Sequence, residues 1–187
     1  MQEILGKAKD NIYLAGGTVP YFLANQDSER FHDDIDTICS VHNIGKLREI
    51  LKNTEYYKPE WDSLNTAKDG IDYGFEIQIS GIPVGIYPFL YENGKLTQYT
   101  YDPYTRQCKV KSFTLENLSY YIMSYKSKDD KTYNTMSLEY IKKSKDMIGR
   151  PKDLTDSKKI DELCLIRPDV LRKIEIPSKT HFVEMEK

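Results

Sequence analysis

The chain has 187 residues, a formal net charge of −2, 39% hydrophobic and 30% charged residues, a length that suits one domain with a buried core and a balance that argues against a dedicated polyanion binder. No apolar run approaches the ~20 residues of a membrane span, and the start "MQEILGKAKDNIYLAGG" lacks the basic head and apolar stretch of a secretory signal, so no membrane partner is expected. Cys39, Cys108 and Cys164 are scattered without metal spacing, which predicts reduced thiols and a cytoplasmic location.

Glu3 to Asp10 is helix-compatible, and Asn11 to Ala15 reads as a buried strand broken by Gly16-Gly17. Thr18 is placed to cap the next helix, with Pro20 tolerated in its first turn. Strand, glycine turn, helix is an order that aims backbone N–H groups at whatever lies above the turn. After a loop through Arg30, "DIDTICS" reads as a second strand with Asp34 and Asp36 on one face and Ile35 and Thr37 on the other. The spacing of Ile44, Leu47, Ile50 and Leu51 predicts a helix, and Trp61 to Gly70 reads as a loop or an irregular edge.

"YGFEIQISGIPVGIYPFLYENGK" reads as a hairpin about Ser80-Gly81. A two-residue turn there sets Ile79 against Ile82, Ile77 against Val84 and Phe75 against Ile86 on one face, and Glu76 against Gly85 on the other, where Tyr87 also lies. A second turn at Glu92-Asn93-Gly94 leads into "KLTQYTYDPY", and "RQCKVKSF" adds a strand. From Thr114 the pattern turns helical. "TLENLSYYIMSYK" opens with a capping-box arrangement of Thr114 and Asn117, "SLEYIKKSKDMIG" ends at Gly149, and "LTDSKKIDELCLI" closes the series. The expected organisation is an α/β domain over residues 1–110 followed by a small helical domain over 111–187, with partial disorder from Ile176.

Charge is unevenly divided: residues 1–108 hold 10 Lys and Arg against 16 Asp and Glu, whereas 109–187 hold 17 against 13. The acidic first part would favour a cationic small molecule. The 15 tyrosines, clustered at Tyr56-Tyr57, Tyr99-Tyr101-Tyr104 and Tyr120-Tyr121-Tyr125, read mainly as core and interface packing. That leaves a homodimer open and makes stacking on single-stranded nucleic acid the weaker reading.

The chemistry concentrates at one strand. Two carboxylates at i and i+2 point the same way and repel unless a cation lies between them, which suits Mg²⁺, an ion that shares oxygen ligands with substrate phosphates. The adjacent glycine turn would hold the phosphate tail. His32 reads as a structural hydrogen-bonder before it reads as a base.

Strand, Gly16-Gly17-Thr18, helix, then Asp34-Ile35-Asp36 on the next strand resembles the nucleotidyltransferase superfamily of DNA polymerase beta, in particular the small enzymes that modify aminoglycosides and lincosamides and confer antibiotic resistance. The likeness extends through Arg30-x-His32-Asp33-Asp34-Ile35-Asp36, Asp72-Tyr73-Gly74-Phe75, the Pro88 strand and "ENGKLTQ", roughly residues 10–100. It implies a mixed-sheet nucleotidyltransferase domain that moves a nucleoside monophosphate from a nucleoside triphosphate, ATP being the expected one, to a hydroxyl of a small acceptor, with release of pyrophosphate. Asp34 and Asp36 would hold Mg²⁺, Gly16, Gly17 and Thr18 would bind the β and γ phosphates, and Arg30 or Lys152 would contact phosphate.

The family places a third carboxylate on the following strand, where this chain has Gly85. Glu76, expected directly across from Gly85, would take its catalytic place, with Gly85 and Tyr87 on the acceptor side. Two alternatives stay open: a nucleotide-binding or partner-binding module with lapsed catalysis, and a toxin-like enzyme acting on tRNA or protein.

Overall fold

The computed structural model describes residues 11–126, 131–166 and 172–174; the helix expected over 3–10 and the tail from Ile176 lie outside them. In chain order come β1 (Ile12–Ala15), a 3-10 turn (Gly16–Thr18), α1 (Val19–Ala24), β2 (Ile35–Ser40), α2 (Val41–Lys52), β3 (Tyr57–Asp62), α3 (Ser63–Thr66), β4 (Phe75–Ile79) and β5 (Ile82–Glu92). Then follow β6 (Lys95–Asp102), β7 (Gln107–Thr114), a second 3-10 turn (Leu118–Tyr120), β8 (Ile122–Lys126), β9 (Thr132–Met136), α4 (Leu138–Ile148), α5 (Pro151–Ile166) and β10 (Arg172–Ile174). The strands form one mixed sheet in the order β10-β8-β9-β1-β2-β5-β4-β3, with β6 pairing the far half of β5 and β7 pairing β6. No described helix is long and apolar enough to cross a membrane.

The β4–β5 hairpin has the expected register, Phe75 with Ile86, Glu76 with Gly85, Ile77 with Val84 and Ile79 with Ile82. Ser80 and Gly81 both take positive φ, 51° and 82°, and so do Asn93 and Gly94 at the β5–β6 turn, 50° and 71°. Both are two-residue turns whose twist matches that of the strands they join. Alternation then sorts the faces. Phe75, Ile77, Val84, Ile86 and Cys39 pack with Ile44, Leu47 and Leu51 of α2, so α2 covers one face, and Asp36, Glu76, Gly85 and Tyr87 fall on the other.

Residues 114–126 depart from the sequence reading. They form a short 3-10 turn, capped by Asn117 accepting from the Ser119 amide at 2.9 Å, and then a strand instead of a helix. Strand β8 lies between β10 and β9, and Ile122, Met123, Ser124 and Tyr125 are all buried. A strand covered on both faces loses its period-2 signature and becomes indistinguishable from a buried helical stretch. Consequently β8 and β9 extend the sheet beside β1, while the helices expected at the C-terminal side are α4 and α5, the first capped by Ser137 and stopped by Gly149 at φ 69°. Of the stretch Trp61 to Gly70, read as a loop or an irregular edge, Trp61 and Asp62 end the edge strand β3, whose register shifts between Tyr57 and Asp62, Ser63–Thr66 form the single turn α3, and residues 67–70 carry no helix or strand.

Helix α1 starts without a side-chain cap. The Thr18 hydroxyl turns back to the Ala15 carbonyl at 3.4 Å, because the chain is already helical through Gly16–Thr18 when it reaches the position where a cap would sit. At the opposite edge of the sheet, buried Arg48 donates to Asp62 at 2.8 Å and to both oxygens of Asp72 at 2.8 and 2.6 Å, its guanidinium 4.8 Å from the Phe75 ring centre. That arrangement ties α2 to β3 and to the loop before β4.

Helices α4 and α5 fold back on each other around Asp153. Its fully buried carboxylate accepts from Arg150 Nε at 2.6 Å, Arg150 Nη2 at 3.1 Å and Lys145 Nζ at 2.9 Å. Those contacts, the Arg150 bonds foremost, hold its carboxyl well below the usual carboxylate range. A carboxylate with a depressed folded-state pKa stabilises the fold above its unfolded value and loses that contribution as pH falls. Asp153→Asn is therefore expected to lower stability at pH 7 by about 2 kcal/mol. The gap to the wild type should close as pH falls below 3.8, the ordinary value of the group, and urea midpoints at pH 7 and at pH 3 measure both effects.

Candidate active site

The register of β2 assembles the site. Asp36 pairs with Ala15 of β1 on one side and with Gly85 of β5 on the other, and Gly85 in turn pairs with Glu76 of β4. Ala15, Asp36, Gly85 and Glu76 thus form one row across four strands. The bend at Gly16, φ 71°, follows Ala15 so closely that a Cβ there would sit 2.6 Å from Asp36 Oδ2. The glycine is required twice, by backbone conformation and by contact with the carboxylate.

Asp34 is exposed just before β2 and Asp36 is half-buried two residues on. Both open into a polar cavity of about 150 Å³ that also includes Gly17, Thr18, Lys145 and Lys152. Desolvation, followed by the charge of Asp34, raises the Asp36 carboxyl from its ordinary 3.8 to about 6, against the pull of Lys145 and Lys152. The two expected carboxylates, the glycine bend, Thr18 and Lys152 therefore come together.

Arg30 also borders this cavity, but its guanidinium is engaged: Nε and Nη2 donate to the two oxygens of Asp156 on α5 at 2.9 and 2.7 Å, and Nη1 donates to the Phe31 carbonyl at 2.9 Å. Lys145 approaches the same Asp156 carboxylate at 3.0 Å. Gly17 makes room for this cluster, since a Cβ there would lie 2.2 Å from Asp156 Oδ2 and 2.5 Å from Arg30 Nη2. Arg30, expected to contact phosphate, thus borders the polar cavity while its guanidinium also ties α5 to the loop beside the glycine bend. His32 is a structural residue of the same cluster: Nδ1 lies 2.8 Å from Ser28 Oγ, the ring meets Tyr21 edge-on, and burial, then Arg30, push its pKa down.

Sequence reasoning missed Lys145, and it singled out Arg150 and Asp156 only as parts of the segment Arg150-Pro151-Lys152-Asp153-Leu154-x-x-Asp156, without a role for either. Lysines crowd the stretch 142–145, and nothing in that run shows which would face the aspartates. The α4–α5 hairpin selects Lys145.

Glu76 and Gly85 share a row, yet Tyr87 intervenes. Its ring lies over Gly85, with Cε2 and Cζ 2.5 and 2.6 Å from where a Cβ would project. Its hydroxyl donates to Glu76 Oε1 at 3.1 Å. Glu76 Oε2 is buried with no hydrogen-bond partner. Burial is the main cause that raises the Glu76 carboxyl from 4.5 to about 7, with Asp34 and Asp36 contributing. Among the described residues no group of three or more His, Cys, Asp and Glu side chains converges as a ready-made metal centre.

A second cavity, of about 940 Å³, also borders Asp36. Asp36 and Gly16 are part of its lining, and Ile38, Phe113, Tyr121, Met136 and Tyr140 contribute apolar wall.

The chain is similar to several solved structures. The solution structure of the antibiotic-resistance factor ANT(2'')-Ia is 14% identical, with 88% of this chain and 82% of that one covered and a TM-score of 0.51. The crystal structure of ANT(2'')-Ia in complex with adenylyl-2''-tobramycin is 15% identical over 88% and 87% of the two chains, TM-score 0.48. A Thermotoga maritima protein assigned as a nucleotidyltransferase is 17% identical over 84% and 88%, TM-score 0.47. No family model and no curated protein matches the sequence. The chain has a nucleotidyltransferase-like α/β fold, a mixed sheet with helices at its C-terminal side.

Proposed function

We propose that the protein is a Mg²⁺-dependent nucleotidyltransferase that moves a nucleoside monophosphate from a triphosphate, ATP in the first instance, to a hydroxyl of a small acceptor. The observation that carries this reading is the polar cavity, where Asp34 and Asp36 meet the Gly17-Thr18 bend and the side chains of Lys145, Arg150 and Lys152. Cations and carboxylates in one small cavity suit a triphosphate together with a divalent ion better than either alone. The donor set fits a hard cation: both groups are oxygen ligands, and burial, then the charge of Asp34, raise the Asp36 carboxyl, a cost that a bound cation would offset.

Asp34 and Asp36 would hold the ion, which when bound supplies neutralisation of charge at the transferred phosphoryl group. Thr18, Arg150 and Lys152 would take the β and γ phosphates, with Lys145 turned toward Asp153 and Asp156. Arg30 positions: through Asp156 it fixes the distance between α5 and the bend. In the transfer, the acceptor oxygen bonds to the α-phosphorus, the bond from that phosphorus to the bridging oxygen breaks, and pyrophosphate leaves with that electron pair. The hydroxyl proton would go to Glu76 through the Tyr87 hydroxyl, which already donates to Glu76. Such base assistance is worth ~10²–10⁴-fold.

A second reading has its own observation. The Tyr87 ring fills the space that a carboxylate at position 85 would use, which favours a nucleotide-binding module without transfer.

Two measurements separate these readings. Pyrophosphate release over a panel of hydroxylated acceptors should be abolished in Asp36→Asn and reduced by ~10²–10⁴-fold in Glu76→Gln. ATP binding without turnover, unchanged by Glu76→Gln but gained in the double variant Gly85→Asp/Tyr87→Ala, would establish lapsed catalysis. The second variant carries both changes because an aspartate alone would collide with the ring.

Magnesium binding has a pH signature that needs no turnover. Asp36 and Glu76 bind protons more tightly folded than unfolded, with values raised to about 6 and about 7. Between their ordinary and raised values the folded state holds more protons, so their contribution to stability falls as pH rises. A cation between the aspartates relieves that repulsion. The rise in Tm on adding Mg²⁺ should therefore be larger at pH 8 than at pH 5, and equal shifts at both would remove the aspartates as its site.

A further inference from the structure

We propose that the large cavity bordered by Asp36 is the acceptor site and that it takes a neutral molecule with a flat, mainly apolar body and a hydroxyl, not a polycation. The inference rests on the transferase reading above and specifies its substrate class.

Direction comes first. In phosphoryl transfer the attacking and leaving oxygens lie roughly in line across the phosphorus. With the pyrophosphate portion in the polar cavity beside Thr18, Arg150 and Lys152, the attacking hydroxyl must reach the α-phosphorus from outside that cavity, and the large cavity adjoins it at Asp36. Asp36 borders both cavities, with Gly17 in the polar one and Gly16 in the large one. At about 940 Å³ the large cavity sits near the top of the ~300–1,000 Å³ range of drug-sized ligand sites, more than a nucleobase alone would fill.

Lining chemistry then sets the class. Phe113 and Tyr140 are stacked with ring centres 5.9 Å apart and 15° between planes, and Tyr121 meets Tyr140 edge-on at 4.9 Å. These rings present rigid aromatic surface to whatever enters. The charged residues of the lining are Asp36 and Glu116 against Lys111 and Lys143, so the charge is balanced, and Lys111 and Lys143 are exposed. A polycation would meet two like charges and shed hydration against rings that return no salt bridge. The acidic excess of the first 108 residues, which favoured a cationic acceptor, contributes only Asp36 to these walls. A neutral ring system buries apolar area and leaves its hydroxyl toward Asp36.

The test uses 2-naphthol, a flat, neutral, hydroxylated and fluorescent probe, titrated into the full chain. Saturable binding is expected, unaffected by excess spermine and not displaced by AMP. Met147 and Tyr120 line the cavity but are 78% and 56% exposed, so Met147→Glu and Tyr120→Glu should fold. Each should weaken 2-naphthol binding by roughly fivefold or more, and Met147→Leu should restore it. Displacement by AMP would make this the nucleobase site, displacement by spermine would overturn the neutral class, and absence of saturable binding or indifference to both glutamate variants would overturn the site. ATP binding is read separately, from the Tm shift with ATP and Mg²⁺. Its absence would remove the transferase reading and the acceptor role with it, whereas a protein that binds ATP but not 2-naphthol would overturn the cavity proposal alone.

Discussion

Strand β2 is held between an antiparallel neighbour and a parallel one, and the register of both pairings sets a carboxylate against a backbone bend. Asp36 opposite Ala15 places its side chain against Gly16, and Asp36 opposite Gly85 places it beside a position with no side chain of its own. Moving that register by one residue would turn Asp36 into the α2-covered core and bring Thr37 to the site. The apolar partners of Cys39 and Ile35 on the covered face, Ile44, Leu47 and Leu51 among them, resist such a slip. The core on one side of the sheet therefore holds the chemistry on the other.

Around that carboxylate the protein builds two cavities of opposite character. The polar one depends on an ion pair between distant parts of the chain, Arg30 with Asp156, over a glycine that leaves room for it. Asp156 and Asp153 are both fully buried, and buried carboxylates are tolerated only when cations and donors surround them. Arg30, Lys145 and Arg150 fill that role, so the residues that hold the C-terminal helices against the sheet also set the field in the polar cavity. The apolar cavity is built differently, with Phe113 of β7 stacked on Tyr140 of α4 and Tyr121 meeting Tyr140 edge-on.

Legibility in the sequence followed the range of the interactions involved. The β4–β5 hairpin was readable down to the pairing of Glu76 with Gly85, because a two-residue turn leaves a single register once one face must be apolar. Asp34, Asp36 and the glycine bend were readable for a similar reason: i, i+2 spacing and a strand–turn–helix order are local. Strand β8 was not. Its burial on both faces removes the alternation that marks a strand, and the residues that bury it come from distant elements, Val19, Leu23, Ile160 and Leu163 packing with Met123 and Tyr125, and Tyr13, Phe89 and Leu96 packing with Ile122. Arg30 was legible as a cation near the site but not as the partner of Asp156, 126 residues away.

By itself the sequence determined the row of short-range features: a bend that only glycine tolerates, two like charges on one strand face, and a carboxylate across a hairpin from an empty position. Tertiary structure decided which cations reach that row, that Tyr87 closes over Gly85 and bonds Glu76, and that the space beyond Asp36 is aromatic and charge-balanced. The division has one physical cause. Backbone dihedrals and strand periodicity act between neighbours, whereas the sign and polarity of a cavity are sums over side chains that only folding brings within reach of one another.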